Sequence, residues 1–356
     1  MPPDHSHSHR WLGASAALLA AALFGISTPL AKLLVGVVDP WMLAALLYLG
    51  SGTGLGLYRI LRSVGADRAE PSLTGHDWIW FGGAIVAGGV IGPVCLMIGL
   101  TSTSAGTASL LLNLEGVATA LIAWFVFREN FDARIAVGMA AIVAGALALS
   151  WQGEASKAGF SGSLYIAAAC LAWGIDNNLT RKVALSDPVQ IAMWKGLIAG
   201  VVNLALALAI GATVPAADTA LAAGLIGLGG YGISIALFVV ALRHVGTART
   251  GAYFSTAPFI GAAISILALG EPVTVQFALA GCLMGIGVWL HLTERHEHPH
   301  EHQPMAHNHR HRHDLHHQHD HEPGVDPREP HTHWHRHHGM AHNHAHYPDA
   351  HHSHRH

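Results

Sequence analysis

Apolar residues run almost unbroken from Trp11 to Leu292, in blocks separated by short clusters of Gly, Pro, Ser or charge. A helix needs roughly 20 such residues to cross a hydrocarbon layer about 30 Å thick. Read by length and by breakers, the blocks predict ten transmembrane helices at 11–34, 41–61, 78–100, 104–127, 134–151, 161–182, 188–211, 219–242, 246–269 and 274–293. The first block is longer than a signal-peptide core, and Lys32 and the polar patch at Ser27 make no cleavage site, so it is read as a helix. The predicted fold class is all-α integral membrane. A short His-containing N-terminus at 1–10 and a C-terminal segment at 294–356 lie outside the apolar pattern.

Composition sharpens this picture: 51% of residues are hydrophobic and 12% charged, which leaves too little polar surface for a soluble domain. The basic residues fall in alternate connections, at Arg10, Arg59, Arg62 and Arg68, Arg128 and Arg134, Arg181 and Lys182, Arg243 and Arg295, with Lys157 the main exception. Lys and Arg accumulate on the cytosolic side, so both termini are expected in the cytosol of a multi-pass protein of the cell (plasma or inner) membrane. Cys95, Cys170 and Cys282 all fall within spans and form no CxxC pair. No Ser-His-Asp set, phosphate-binding glycine loop or nucleotide-binding domain is present, which disfavours an enzyme or an ATP-driven pump.

The apolar region repeats. An offset of 142 places Glu129 on Glu271, Gly145 on Gly287 and Ser104-Ala105-Gly106 on Gly246-Thr247-Ala248, and an offset of 149 places Phe24-Gly25-Ile26 on Trp173-Gly174-Ile175. Gly88-Gly89 likewise matches Gly229-Gly230. Five spans per repeat is an odd number, so the second repeat must enter the bilayer inverted, an arrangement suited to exposing a central site alternately to each side.

The stretches ALFGISTPLAKLL, LAWGIDNNLTRKV, STSAGTASLLLNLEGVATALIAWFVFREN and VGTARTGAYFSTAPFIGAAISILALGEP resemble the paired EamA modules of the drug/metabolite transporter (DMT) superfamily. The resemblance covers 11–293 and departs at Gly116, where the second repeat carries Pro258. It implies two inverted five-helix repeats, 11–151 and 161–293, around a central cavity, and secondary transport of amino acids, nucleotide-related metabolites or drugs, with no cofactor needed.

Ionisable groups near the bilayer centre cost about 2.5–3.5 kcal/mol on insertion scales, so they face a cavity or a partner. Glu115 and Asp176 are the candidate proton- or cation-coupling pair, with Asn177, Asn178 and Asn113 as amides near them or as glue between helices. Pro29 frees the carbonyl of Gly25 and, with Ser27 and Thr28, makes a broken polar segment that the repeat aligns with Asp176-Asn177-Asn178. Phe24, Trp173, Tyr231 and Tyr253 are either an aromatic lining or ordinary core, and Lys195 either snorkels or pairs with an acid. Glu129 and Glu271, each between two spans, read as helix caps or transport residues.

Of 30 histidines, 24 lie at or after His296. His296, His298, His300, His302, His307, His309, His311, His313, His316, His317, His319 and His321 are the candidate metal ligands of a tail expected to be disordered. Imidazole favours Zn, Ni, Co or Cu. Its ordinary pKa near about 6.5 equally allows the tail to turn basic on acidification and to sense pH or lipid. Three functions follow: a proton- or cation-coupled transporter of a small solute, with a divalent transition metal one candidate; an amino-acid or metabolite carrier with a regulatory tail; or a membrane metal sensor or scaffold. The expected partners are the lipid bilayer, a small molecule or ion and a second copy in a homodimer, not nucleic acid.

Overall fold

The computed structural model describes the backbone of residues 5–63, 73, 75, 77–127, 133–151, 157–183, 186–293, 297–301, 305–311, 331–337 and 341–345; of these, side chains are described between 12 and 293, except at 62, 63, 127, 157–159, 242–249, 252, 291 and 292. Among the described residues the apolar region forms thirteen α-helices: α1 (His5–Leu34), α2 (Pro40–Ser63), α3 (Asp77–Ala84), α4 (Gly92–Ser102), α5 (Ala105–Leu111), α6 (Leu114–Phe127), α7 (Ala133–Ser150), α8 (Lys157–Thr180), α9 (Pro188–Ala209), α10 (Ala217–Gly227), α11 (Ser234–Phe254), α12 (Ala257–Leu269) and α13 (Val275–Leu292). Among the described residues, seven helical stretches are long and apolar enough to cross a membrane, and α12 and α13 are apolar but shorter. Helix α1 begins at His5, ahead of the expected residue 11, because nothing between His5 and Leu12 breaks a helix that can project beyond the apolar layer.

Two predicted spans carry a π-helical segment. A π-helical segment, Ile85–Ile91, joins α3 to α4, and another, Leu228–Ile233, joins α10 to α11, at the repeated glycine pairs. In the first, the Gly92 N–H bonds Ala87 O, five residues back. The next bond of that register would come from Pro93, which has no N–H, and so the Gly88 carbonyl is orphaned. It accepts instead from Tyr48 Oη at 2.7 Å and Trp173 Nε1 at 3.0 Å, while the Gly89 carbonyl accepts from Asn203 Nδ2 at 2.9 Å. A residue pattern alone hides this, since the helix is continuous and only its register slips.

The repeat offsets reappear as contacts. Gly25 packs on Ala257 and Ile260 of α12, and its counterpart Gly174 packs on Ala118 and Thr119 of α6, so the first helix of each half crosses the fourth span of the other. In the α2–α9 pair Gly56 meets Met193, Gly52 meets Leu197 and Leu49 meets Gly200. In the α7–α13 pair Gly145 meets Ala280 and Met284, and Gly287 meets Gly138 and Ile142. In both pairs residue numbers rise on one helix as they fall on the other, so equivalent helices run antiparallel, as inverted halves require. Small residues permit this approach where apolar burial gives no advantage over lipid. Asp39 caps α2 through Trp41 N at 2.9 Å and Asp187 caps α9 through Val189 N at 2.9 Å, each before a proline.

The described residues of the C-terminal segment are extended. Four short strands, β1 (Glu297–Glu301), β2 (Met305–His311), β3 (His331–His337) and β4 (Ala341–Ala345), pair antiparallel as β1–β4 and β2–β3. Both pairings follow one register, which sets His298, His300, His307, His309 and His311 opposite His344, His342, His335, His333 and His331. Alternation of His with other residues has the period of two that extended pairing uses. His296, His302, His313, His316, His317, His319 and His321 lie outside the described residues.

A methyl at Gly196 would lie 2.5 Å from Gly52 N, whereas one at Gly82 meets nothing within 4 Å. Gly196→Ala is therefore expected to destabilise the detergent-solubilised protein by about 1–3 kcal/mol, and Gly82→Ala to leave its thermal midpoint unchanged, as scanning fluorimetry would read.

Candidate functional site

The helix crossings leave a central cavity of about 80 Å³ between the halves. Helix α8 supplies Trp173, Asp176, Asn177 and Thr180; α6 supplies Glu115, α9 Lys195, α2 Tyr48, and α1 Phe24. Tyr231 from the second π segment and Phe238 and Phe254 from α11 complete the wall, and Arg181 just beyond α8 marks the end toward which it reaches.

Two polar pairs sit in this apolar setting. Asp176 and Lys195, both 4% exposed, form an ion pair from Oδ2 to Nζ, and Thr180 Oγ1 donates to Asp176 Oδ1 at 2.9 Å. Asn177 Nδ2 donates to Glu115 Oε1 at 2.8 Å and lies 3.2 Å from Thr119 Oγ1. A buried carboxylate and ammonium each lose several kcal/mol of hydration, which only a close and further bonded partner offsets. Gly88 makes the pairing sterically feasible: any side chain there would strike the Asp176 carboxylate. The orphaned carbonyl of Gly88, held by Tyr48 and Trp173, thus lies against the ion pair.

The aromatic wall centres on Phe24, whose ring stands edge-on to Trp173 at 6.0 Å and to Tyr231 at 5.9 Å, and 5.4 Å from Phe254. Tyr48 and Tyr231 are 5.3 Å apart. The Tyr231 hydroxyl is buried with no hydrogen-bond partner among the described residues.

Of the residues singled out from sequence, Glu115, Asp176 and Asn177 meet in this cavity. Asn178 instead bonds Gly174 O at 2.8 Å and Thr119 O at 3.1 Å, tying α8 to α6. Asn113 Nδ2 bonds Leu110 O at 2.8 Å in the break between α5 and α6. Ser27, Thr28 and Pro29 are buried, Ser27 Oγ donating to Phe24 O at 2.6 Å, and none of the three lines the cavity. Of the two readings of Lys195, pairing holds. Phe24, Trp173 and Tyr231 line the cavity but Tyr253 does not; its neighbour Phe254 does. Tyr48, Phe238 and Phe254 were not singled out, because an aromatic in an apolar span carries no signal separating lining from core. Glu129 lies outside the described residues.

The EamA-like transporter family matches residues 11–151 and 160–293, nearly the whole helical region. The chain belongs to the EamA-like transporter family. That family is part of the DMT superfamily, and its members are membrane transporters rather than enzymes. An uncharacterized transporter from Methanothermobacter thermautotrophicus is similar, with 26% identity over 304 residues, 81% of this chain and 88% of the relative. A protein known from a crystal structure shares the fold, with a TM-score of 0.57 and 20% identity over 80% of this chain and 95% of that one. This EamA-like protein is therefore a multi-pass membrane transporter, and the cavity between its two repeats is its candidate solute site.

Removing one member of the buried ion pair strands the other. Lys195→Met is expected to destabilise the protein by about 3–5 kcal/mol, and adding Asp176→Leu to recover most of that loss. Thermal unfolding of the two single variants and the double variant measures the coupling; additive losses would contradict it.

Proposed function

We propose that this EamA-like protein is a secondary transporter of a small organic solute that works by alternating access. In this reading ten spans cross the cell membrane, α5 and α6 serving as one span, the first part of α11 completing the eighth and its last turns with α12 making the ninth, with both termini in the cytosol. The alternate placement of basic residues supports that orientation. The observation that carries the functional reading is the convergence of Glu115–Asn177 and Asp176–Lys195 on one aromatic-walled cavity where α8 and α6, from opposite repeats, cross.

The lining favours an organic solute over a dehydrated transition-metal ion. Charges of both signs, Glu115 and Arg181 among them, share the cavity with aromatic rings, which suits a zwitterion with an apolar body such as an amino acid. Soft metal ligands are what a stripped metal ion would need, and among the described residues no group of three or more His, Cys, Asp or Glu gathers. Glu115 serves as the coupling carboxylate: its described partner is a neutral amide, so it can exchange a proton or meet a solute ammonium without breaking an ion pair. Asp176 is held by Lys195 and keeps α8 and α9 in register.

Proteoliposomes offered a panel of amino acids beside Ni, Co and Zn test this. Amino-acid flux driven by an imposed proton gradient is expected. Glu115→Gln should lower it by about tenfold or more and remove the gradient dependence. Metal flux without organic flux, or a Glu115→Gln variant that transports at the unaltered rate with the same gradient dependence, would overturn the reading.

The tail is proposed as a cytosolic metal buffer for Zn, Ni, Co or Cu rather than as part of the transport path. Directly opposed positions of an antiparallel ribbon lie about 4.5–5.5 Å apart at Cβ, and five such positions pair His with His. Equilibrium dialysis of the full-length protein should find several weakly bound ions per chain. A chain ending at residue 293 should lose them and keep its solute flux; retention of metal by the shortened chain would refute this role.

A further inference from the structure

We infer that the Glu271 carboxylate is the latch that keeps the central cavity closed toward the outer face, so that it must let go in each transport cycle. The assignment of the outer face rests on the orientation proposed above; the latch itself rests on geometry. Glu271 follows Gly270, whose φ of 68° ends α12 in the left-handed conformation, and precedes Pro272. This tight corner projects the side chain not onto the next helix, as a cap before α13 would require, but across to the other repeat. Oε1 accepts from Ala105 N at 2.7 Å and Oε2 from Gly106 N at 2.7 Å, two consecutive amides at the start of α5. Gly106 leaves room for this grip, since a Cβ there would stand 2.8 Å from Oε2.

The neighbouring amide is provided for separately: Thr107 N bonds Ser104 Oγ at 3.2 Å. Glu271 therefore answers two further amides at this helix start, which would otherwise need water.

Other polar ties close the same end of the bundle. Lys32 Nζ, near the end of α1, donates to Leu100 O in α4, and Gln276 Nε2 of α13 donates to Ala148 O and, at 2.6 Å, to Trp151 O beyond α7. The opposite end is held differently. There Arg59 pairs with Asp187 at 2.8 Å, and the central cavity extends to Arg181. A second cavity of about 460 Å³ lies against Glu271, walled by Ser104, Thr107, Trp151, Gln276 and Phe277, and gives the α12–α13 corner space to move into. A corner that served only to terminate α12 would need neither a bond to the other repeat nor this space.

The test reads which face the cavity is open to, and needs no solute. Cys95, Cys170 and Cys282 are replaced by Ala, the half-buried Phe238 in the cavity wall is replaced by Cys, and a membrane-impermeant maleimide is applied from either side of oriented vesicles. Glu271→Gln keeps the size of the side chain but removes one acceptor, and loss of one charge-assisted bond corresponds to about a tenfold shift in a two-state balance. Labelling from the outer face relative to the inner should rise about tenfold, and Glu271→Asp, with a carboxylate one methylene shorter, should fall between. An unchanged ratio in folded Glu271→Gln, or in Glu271→Asp should the first variant not fold, would overturn the latch, for a purely structural cap lowers the thermal midpoint without changing sidedness. Failure of the transport reading would instead show as absent flux with the ratio still shifted, and a reversed orientation as the same shift with the two faces exchanged.

Discussion

Hydrocarbon offers no hydrogen bonds and no counter-charge, and every polar feature of this protein is arranged around that fact. Asp176 and Lys195 hold each other between α8 and α9 because neither could be there alone. The same constraint acts on the backbone. Pro93 removes the N–H that the π-helical register would have supplied to Gly88, and two side chains from two other helices, Tyr48 and Trp173, converge on the orphaned carbonyl. The ion pair and the satisfied carbonyl touch at Gly88, so charge, backbone irregularity and aromatic wall form one connected unit. The cavity exists where it does because four helices are tied to this spot.

Packing and chemistry obey different symmetries. The glycine contacts repeat faithfully: Gly25 and Gly174, Gly145 and Gly287, and Gly52 and Gly200 meet equivalent neighbours in the opposite half. The chemistry does not repeat. Asp176-Asn177-Asn178 has Ser27-Thr28-Pro29 as its counterpart, and the offset of 142 sets Glu115 against Ala257. Both halves supply both kinds of group at positions that do not match: Glu115 of the first repeat faces Asp176 and Lys195 of the second, and Phe24 of the first meets Tyr231 of the second. A scaffold that is symmetric to small residues and asymmetric to charge can place one solute site off its own axis while keeping two equivalent ways of packing the helices around it.

How much of this was legible in the sequence followed from the range of the interactions. Features set by spacing along the chain were open to reading: the apolar blocks, the duplicated glycines, and the polar positions Glu115, Asp176 and Asn177. The repeated Asp-Pro at Asp39-Pro40 and Asp187-Pro188 obeys the same logic at an offset of 148 and could have been found by it. Features set by the crossing of distant helices were closed. Lys195 stayed between two readings because its acid lies on another helix. Tyr48 and Phe254 have the same apolar surroundings in sequence as any core aromatic. Glu271 read naturally as a cap for the helix after it, and its partners stand in the other repeat at Ala105 and Gly106. The π segments were invisible for a different reason: a slipped register changes which atoms bond without changing which residues are apolar.

Alternation between two access states follows from the way these symmetries divide the energy. Contacts that repeat under the inverted relation contribute about equally whichever end is open, since exchanging the conformations of the halves re-forms them with their counterparts. They therefore cannot decide between the states. Polar ties confined to the mouths can: Glu271 on the α5 amides, Lys32 on Leu100 and Gln276 on Ala148 at one end, Arg59 on Asp187 at the other. Each is worth one or two hydrogen bonds, and a population balance of a few kcal/mol is what such small terms can set and a bound solute can reverse. A large symmetric core supplies stability without preference, and a handful of polar ties at the mouths supplies the preference, which is why a single carboxylate can govern the access of a whole bundle.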